Sequence, residues 1–138
     1  MNRTDLQEIA EIRLRESKAL LAAGFPDGAY YLAGYAIECA FKACIAKRTR
    51  EHDFPDKSLV VESHTHSLKE LFRLAEVKDD WNTAIATNPV LKTNWALLLA
   101  WSETSRYESG RTVQQAADLL NAVEDPNGGI LPWVRQRW

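Results

Sequence analysis

Apolar positions recur along the chain at helical spacing, and no stretch keeps the sustained alternation expected of a half-buried strand. A capping box formed by Thr4 and Gln7 predicts the start of a first helix, and Gly24 predicts its end. Between these signals, one apolar stripe returns every three to four residues: Leu6, Ala10, Leu14 and, one turn skipped, Leu21. The pattern predicts a long amphipathic helix at the start of the chain.

The stretch from Gly28 to Lys47 predicts a second helix that is apolar on nearly every side, which is typical of a central helix. Asp27 is the predicted cap, and the helix is expected to run to about Arg50. Glu38 and Lys42 interrupt this apolar stretch and lie four residues apart, so that they share one helix face. Charged residues are rarely buried without a partner, so this pair indicates either a structural ion pair or part of a site.

Local signals place the remaining elements. The segment 51–65 is predicted to be a polar loop, and a capping box of Ser67 and Glu70 opens the next helix. Further start signals are a short turn over Trp81–Thr87, the pair Asn88-Pro89, a capping box of Thr112 and Gln115, and a last short helix from Pro132. The sequence therefore predicts an all-α fold: an antiparallel up-and-down bundle of four to five main helices plus a short C-terminal helix, in one domain spanning 1–138.

Composition narrows the class of protein. Apolar residues make up 46% and charged residues 26% of 138 residues, and the formal net charge is −2, which argues against a broadly basic nucleic-acid binder. Local basic patches remain, at Lys47, Arg48 and Arg50 and at Arg135 and Arg137. The chain has no long uncharged apolar run and its N-terminus lacks a signal-peptide pattern, so we expect a cytoplasmic protein without a membrane partner.

Two further residue types bear on packing. Cys39 and Cys44 point about 140° apart on one helix, so we expect two core thiols rather than a disulfide. All five tryptophans follow residue 80 and are expected in the core, with a dimer interface as the alternative for Trp133 and Trp138.

Candidate chemistry is concentrated in two places, because the common phosphate-loop, nucleophile-elbow and metalloprotease motifs do not occur. His64 and His66 flank Thr65 ahead of a helix, but no third ligand suggests a metal, and no cofactor is expected. His66 is a candidate general base, with a purely structural hydrogen bond as the alternative.

The second place is the segment Ser102–Glu108. Arg106 can bind a phosphate through its two-pronged guanidinium, and Tyr107 can stack on a base or donate a hydrogen bond. The alternative is that Arg106 pairs with Glu103 or Glu108, or reaches Glu38.

The order of these segments resembles the HEPN family, a nucleotide-binding domain of higher eukaryotes and prokaryotes. The second helix AYYLAGYAIECAFKA carries the family's E-x-x-x-K-A pattern at Glu38, Lys42 and Ala43. HSLKEL matches a histidine-then-leucine element through His66, Leu68 and Leu71, and WSETSRYESG and GGILPWVRQRW follow in the expected order.

The resemblance implies a helical homodimer in a prokaryotic toxin–antitoxin or defence system. Family members include metal-independent ribonucleases, partners of a nucleotidyltransferase that acts as the antitoxin, and non-catalytic binding modules. The ribonucleases carry an arginine followed a few residues later by a histidine. Arg106 matches the arginine by position, but Tyr107–Val113 contains no histidine.

Three hypotheses follow. The first is a dimer that binds RNA, a nucleotide or a partner protein in a groove lined by Arg106, Tyr107, Glu38, Lys42 and His66, with Tyr35 and His64 as further binding candidates. The second is a ribonuclease with a degenerate site, in which Arg106 and His66 are catalytic. The third is a structural dimerisation module in which Glu38, Lys42 and Arg106 form an internal polar network.

Overall fold

A computed structural model describes residues 1–49, 53–54 and 56–138. Its helices are α1 (Arg3–Ala22), α2 (Pro26–Arg48), α3 (Lys57–Glu62), α4 (Leu68–Leu74), α5 (Lys78–Thr87), α6 (Val90–Leu99), the 3-10 helix Glu103–Tyr107, α7 (Val113–Glu124) and α8 (Ile130–Arg135). Within the described ranges no residue is in a strand, so the predicted all-α bundle is confirmed. The predicted continuation of the second helix to Arg50, together with His52, lies outside the described residues.

Helix α2 forms the centre of the bundle. It contacts α1, α4, α7, α8 and the 3-10 helix. Thirteen of its 23 residues are buried, because apolar side chains surround nearly its whole circumference. Phe41 and Ile37 are among the largest fully enclosed side chains of the protein. The site described below therefore has a rigid central helix as its base.

An aromatic cluster fills the space between α2 and the later helices. Phe72 packs at 5.2 Å from Trp95, and Trp81 lies edge-on to Trp133, with ring centroids 5.2 Å apart. Edge-to-face and offset arrangements of this kind are favourable for aromatic rings. Trp133 is buried inside one chain, as the core prediction for the late tryptophans requires, and Trp138 packs half-buried against the core.

One predicted capping box is confirmed, and a second forms only in part, because the Ser67 N–H bonds Thr65 instead of Glu70. Thr112 and Gln115 form a reciprocal capping box at the start of α7, and the Ser67 hydroxyl accepts a hydrogen bond from the Glu70 backbone N–H at the start of α4.

Other boundary predictions were wrong. Helix α1 is capped by Asn2 with Asp5 rather than by Thr4, since the Asn2 side chain reaches the free N–H groups one turn earlier. The cap position of α2 is Phe25, and Asp27 bonds elsewhere. Asn88 does not cap α6, because its side-chain amide donates to the Asn127 carbonyl.

Two short helices also differ from the sequence-based boundaries. The predicted polar loop over 51–65 contains α3, which Asp56 caps by accepting a hydrogen bond from the Ser58 N–H. The last helix begins at Ile130, two residues before Pro132. None of the described helices is long and apolar enough to cross a membrane.

Candidate functional site

Glu38 is the buried centre of the site, with only 1% of the residue exposed. Its Oε1 atom accepts hydrogen bonds from Lys42 Nζ at 2.9 Å and from His66 Nδ1 at 2.8 Å. Its Oε2 atom is also buried but has no hydrogen-bond partner among the described residues. A buried carboxylate oxygen without a donor is unfavourable by about 1–3 kcal/mol, so this site retains unused capacity to accept a hydrogen bond.

His66 connects the buried carboxylate to the surface. Its Nε2 atom lies 3.2 Å from Glu103 Oε2, on the 3-10 helix. Carboxylates only accept hydrogen bonds, so the imidazole can donate to Glu38 and Glu103 together only when both ring nitrogens carry hydrogen. The ring is about half exposed, which leaves one side of it open to a ligand.

Arg106 forms the outer end of the same chain of contacts. Its Nη2 atom lies 4.0 Å from Glu103 Oε2, at the limit of an ion pair, and 44% of its side chain is exposed. The five residues Lys42, Glu38, His66, Glu103 and Arg106 are called the Glu38 network below. Arg106 does not contact Glu38, so the closed triad that a purely structural module requires is not observed.

Tyrosines surround the Arg106 guanidinium. Its carbon atom lies 4.8 Å from the centre of the Tyr107 ring, and Tyr107 is 78% exposed. Tyr107 raises the pKa of Arg106 above its ordinary value, with smaller contributions from a hydrogen bond with Tyr31 and from the charge of Glu103. Arg106 is therefore a permanent surface cation flanked by an exposed aromatic ring.

Close packing on Gly34 fixes the start of the segment that carries Glu103 and Arg106. A Cβ atom at Gly34 would lie only 2.2 Å from Trp101, so the indole can reach α2 only because this residue has no side chain. Trp101 also stacks on Tyr31, with ring centroids 6.2 Å apart, and Tyr31 stacks on Tyr35 at 5.9 Å. These contacts hold the 3-10 helix beside the α2 face that bears Glu38.

Of two neighbouring cavities, the smaller adjoins the Glu38 network through His66. One, of about 370 Å³, is lined by His66, Ser67, Leu68, Lys69, Leu99, Trp101 and Ser102. The other, of about 800 Å³, lies between α4 and α6 and includes Lys69, Phe72, Trp95 and Leu99. Both volumes fall in the range of roughly 300–1,000 Å³ that is typical of ligand pockets. Lys69 and Leu99 line both cavities, so they are adjacent spaces with a shared wall.

The remaining predicted site residues do not join the network. His64 is exposed, and its side chain makes no hydrogen bond within the described part of the chain. Tyr35 is half-buried beside Cys39, and burial, followed by the effects of Cys39 and Glu38, raises the pKa of its hydroxyl. Burial likewise raises the pKa of the Cys39 thiol to about 11, which keeps it protonated and unreactive at neutral pH.

Sequence reasoning missed two aromatic residues of this site, Tyr31 and Trp101. Glu103 was expected only as an alternative ion-pair partner of Arg106, whereas it also contacts His66. The glycine in the middle of an otherwise bulky helix was the available signal for Trp101, because such a glycine often marks a close approach. In the described residues, no group of three or more histidine, cysteine, aspartate or glutamate residues is arranged to hold a metal.

A second polar cluster lies at the N-terminal end of α2. The Asp27 carboxylate accepts hydrogen bonds from the backbone N–H groups of Gly110 and Arg111, at 3.3 and 2.9 Å. The Arg111 guanidinium lies 3.5 Å from the centre of the Tyr30 ring and bonds Glu108 at 2.6 Å. These residues are called the Asp27 cluster below.

The central helix is largely apolar but carries a glutamate and a lysine. Later segments of the chain bring a histidine and an exposed arginine to this pair. The fold is therefore a helical domain with a polar site on its central helix. The HEPN domain family profile matches residues 4–125, most of the chain. The chain therefore belongs to the HEPN domain family. Comparisons with curated proteins and with solved structures find no significant match.

Proposed function

We propose that this HEPN-domain protein binds RNA, through its phosphates, at Arg106, Tyr107 and His66, as a homodimer in a prokaryotic toxin–antitoxin or defence system. The observation that carries the proposal is the exposed Arg106, whose nearest carboxylate among the described residues lies 4.0 Å away. A tightly paired arginine would have to lose its partner before binding a phosphate, whereas this guanidinium can form charge-assisted hydrogen bonds directly.

The surroundings of Arg106 support a nucleic-acid or nucleotide ligand. Tyr107 offers an exposed ring on which a base can stack, and base–aromatic stacking is tolerant of sequence. His66 adds a hydrogen-bonding group beside the adjoining cavity. Glu38 and Lys42 lie behind His66 and hold its ring in place. The family membership supports the dimer and the toxin–antitoxin setting, in which a nucleotidyltransferase-type antitoxin is the expected protein partner.

Binding can be tested by fluorescence anisotropy with a short labelled single-stranded RNA. Arg106→Ala is expected to weaken binding about tenfold or more, because a charge-assisted hydrogen bond contributes about 1.5–3 kcal/mol. Arg135→Ala is the matched control, since it removes the same charge from an arginine that pairs with Glu11. Equal affinities for wild type and Arg106→Ala, or no binding by wild type, would refute the proposal and favour a protein-binding module.

One observation favours a second candidate, a metal-independent ribonuclease. His66 belongs to the same chain of contacts as Arg106 through Glu103, so an imidazole accompanies the arginine although none follows it in sequence. In this hypothesis the Nε2 atom of His66 exchanges its contact with Glu103 for the substrate and transfers a proton at the 2′-hydroxyl, and Arg106 stabilises the phosphate. Labelled RNA incubated in EDTA should then be cleaved by wild type and by neither His66→Gln nor Arg106→Ala. Cleavage that persists in both variants excludes this mechanism.

A further inference from the structure

The larger cavity, between α4 and α6, has features that the proposed phosphate site at Arg106 lacks. Its floor is aromatic, formed by Phe72 and Trp95, whose ring centroids lie 5.2 Å apart. The spacing of its residues explains why they meet: Lys69, Phe72 and Arg73 share one face of α4, and Trp95 and Leu99 share one face of α6. The floor is partly accessible to solvent, since Phe72 and Trp95 are both half-buried, and Leu99 is 47% exposed.

The charges around this cavity balance. Its carboxylates are Glu70, Glu76 and Asp79, of which Glu70 pairs with Arg73 at 3.1 Å and Glu76 pairs with Arg48 at 2.8 Å. Lys69 and Lys78 are the rim lysines, and neither forms an ion pair within the described residues. A nearly neutral rim over aromatic rings suits a planar base better than a phosphate, which would meet three carboxylates.

Lys69 links the larger cavity to the smaller one. It lines the shared wall between this cavity and the smaller one beside His66. A cationic side chain at that position suits a backbone phosphate that joins a ligand in the His66 cavity to a base over Trp95. Continuity with the phosphate site is the reason for favouring RNA over a protein partner here.

We infer that the α4–α6 cavity is a base-binding subsite for the nucleotide next to the one held at Arg106 and His66, with Lys69 contacting the phosphate between them and Leu99 and Trp95 supporting the base. This inference rests on the proposed RNA binding and extends it to a ligand of at least two nucleotides. It predicts that oligonucleotides bind more tightly than mononucleotides, and that the added affinity depends on α4 and α6.

Two leucines of α6 provide a matched test. Leu99 lines both cavities, whereas Leu97, 42% exposed on the same helix, lines neither. Leu99→Glu is expected to lower the affinity for a labelled trinucleotide RNA by about fivefold or more, the effect of losing one stacked base. Affinity for a mononucleoside monophosphate should fall by a smaller factor, because Leu99 also forms part of the wall of the His66 cavity. Leu97→Glu should leave both affinities at the wild-type value.

Lys69→Glu tests the connecting phosphate in the same way, with the exposed Lys92 of α6 as the control for charge. It should reduce trinucleotide affinity about fivefold or more and flatten its salt dependence, whereas Lys92→Glu should do neither. All four residues are exposed, so circular dichroism and thermal melting should show folded variants.

Each other outcome overturns the inference in a distinguishable way. If Arg106→Ala loses trinucleotide binding while Leu99→Glu and Lys69→Glu bind normally, the proposed function survives and the base subsite does not. If wild type binds no RNA, both are refuted. If Leu99→Glu, but not Leu97→Glu, converts a dimer to a monomer in sedimentation without weakening the trinucleotide, the groove is an interface between copies of the chain.

Discussion

The Glu38 network and the Asp27 cluster lie against the same helix, and each combines carboxylates with an arginine that lies beside a tyrosine ring. In the Asp27 cluster every group is engaged: Asp27 accepts two backbone hydrogen bonds, and Arg111 covers Tyr30 and bonds Glu108. In the Glu38 network one carboxylate oxygen has no donor among the described residues, and Arg106 remains 4.0 Å from Glu103.

This difference distinguishes polar groups that stabilise the fold from polar groups that can still bind a ligand. Buried polar groups normally satisfy one another, and a departure from that rule requires an explanation. The Asp27 cluster follows the rule and fixes the segment 108–111 on α2. The Glu38 network departs from it, and its His66 ring lines the smaller cavity, where a ligand can approach the network.

The largest expected change in stability concerns the buried ion pair of the Glu38 network. Lys42→Ala should lower the free energy of unfolding by about 3 kcal/mol, because a buried carboxylate loses one of its two charged or hydrogen-bonding partners. Lys18→Ala is the control, since Lys18 forms a more exposed ion pair with Glu124 and should change stability by less than about 1 kcal/mol. Urea denaturation measures both. Equal effects would mean that the burial of Glu38 does not distinguish its ion pair.

A smaller loss of stability is expected at Gly34, where α2 packs against the start of the segment that carries Arg106. Gly34→Ala should be destabilising by about 2 kcal/mol, because overpacking against the rigid Trp101 ring exceeds the gain in helix propensity. Gly28→Ala is the matched change, since its Cβ would lie 3.0 Å from the end of the flexible Leu20 side chain. That variant should be close to neutral. A Gly34→Ala protein as stable as Gly28→Ala would show that Trp101 moves without penalty.

The smallest expected change in stability concerns the two arginines, Arg111 and Arg106. Arg111→Ala should lower the free energy of unfolding by about 1 kcal/mol, because it removes a cation–π contact with Tyr30 together with an ion pair. Arg106→Ala should change it by less than about 0.5 kcal/mol, since its contact with Glu103 is long and its cation–π contact is with the exposed Tyr107 ring. Thermal melting of the two variants side by side tests the comparison. A larger loss of stability in Arg106→Ala than in Arg111→Ala would contradict the distinction between the two sites.

The sequence predicted the bundle and several of its boundaries because those signals are local. Thr112 and Ser67 cap helices within one turn, and the apolar circumference of α2 predicts its central place from composition alone. Helix α3 was missed because three consecutive apolar residues, Leu59 to Val61, carry no helical periodicity.

The other failures at helix ends came from contacts between distant residues. Asp27 has the side chain of a helix cap, but its carboxylate bonds backbone groups more than 80 residues later, and Asn88 likewise bonds Asn127. The pairing of Glu38 with Lys42 followed from their spacing, whereas the contacts of His66 with Glu38 and Glu103 depend on tertiary packing. Spacing therefore found the residue types of the site but not the order in which they are connected.

The large sequence separation between Asp27 and Arg111 has a consequence for folding during synthesis. Helices α1 and α2 can pair as soon as they leave the ribosome, because few residues separate them, whereas contacts across long sequence separations form slowly. The Asp27 carboxylate joins Arg111 across 84 residues, and the segment between Trp101 and that junction carries both Glu103 and Arg106. A nascent chain can thus complete its central hairpin while still lacking the arginine of the site. Any activity at that arginine begins only after the segment up to Arg111 has been synthesised and has joined Asp27.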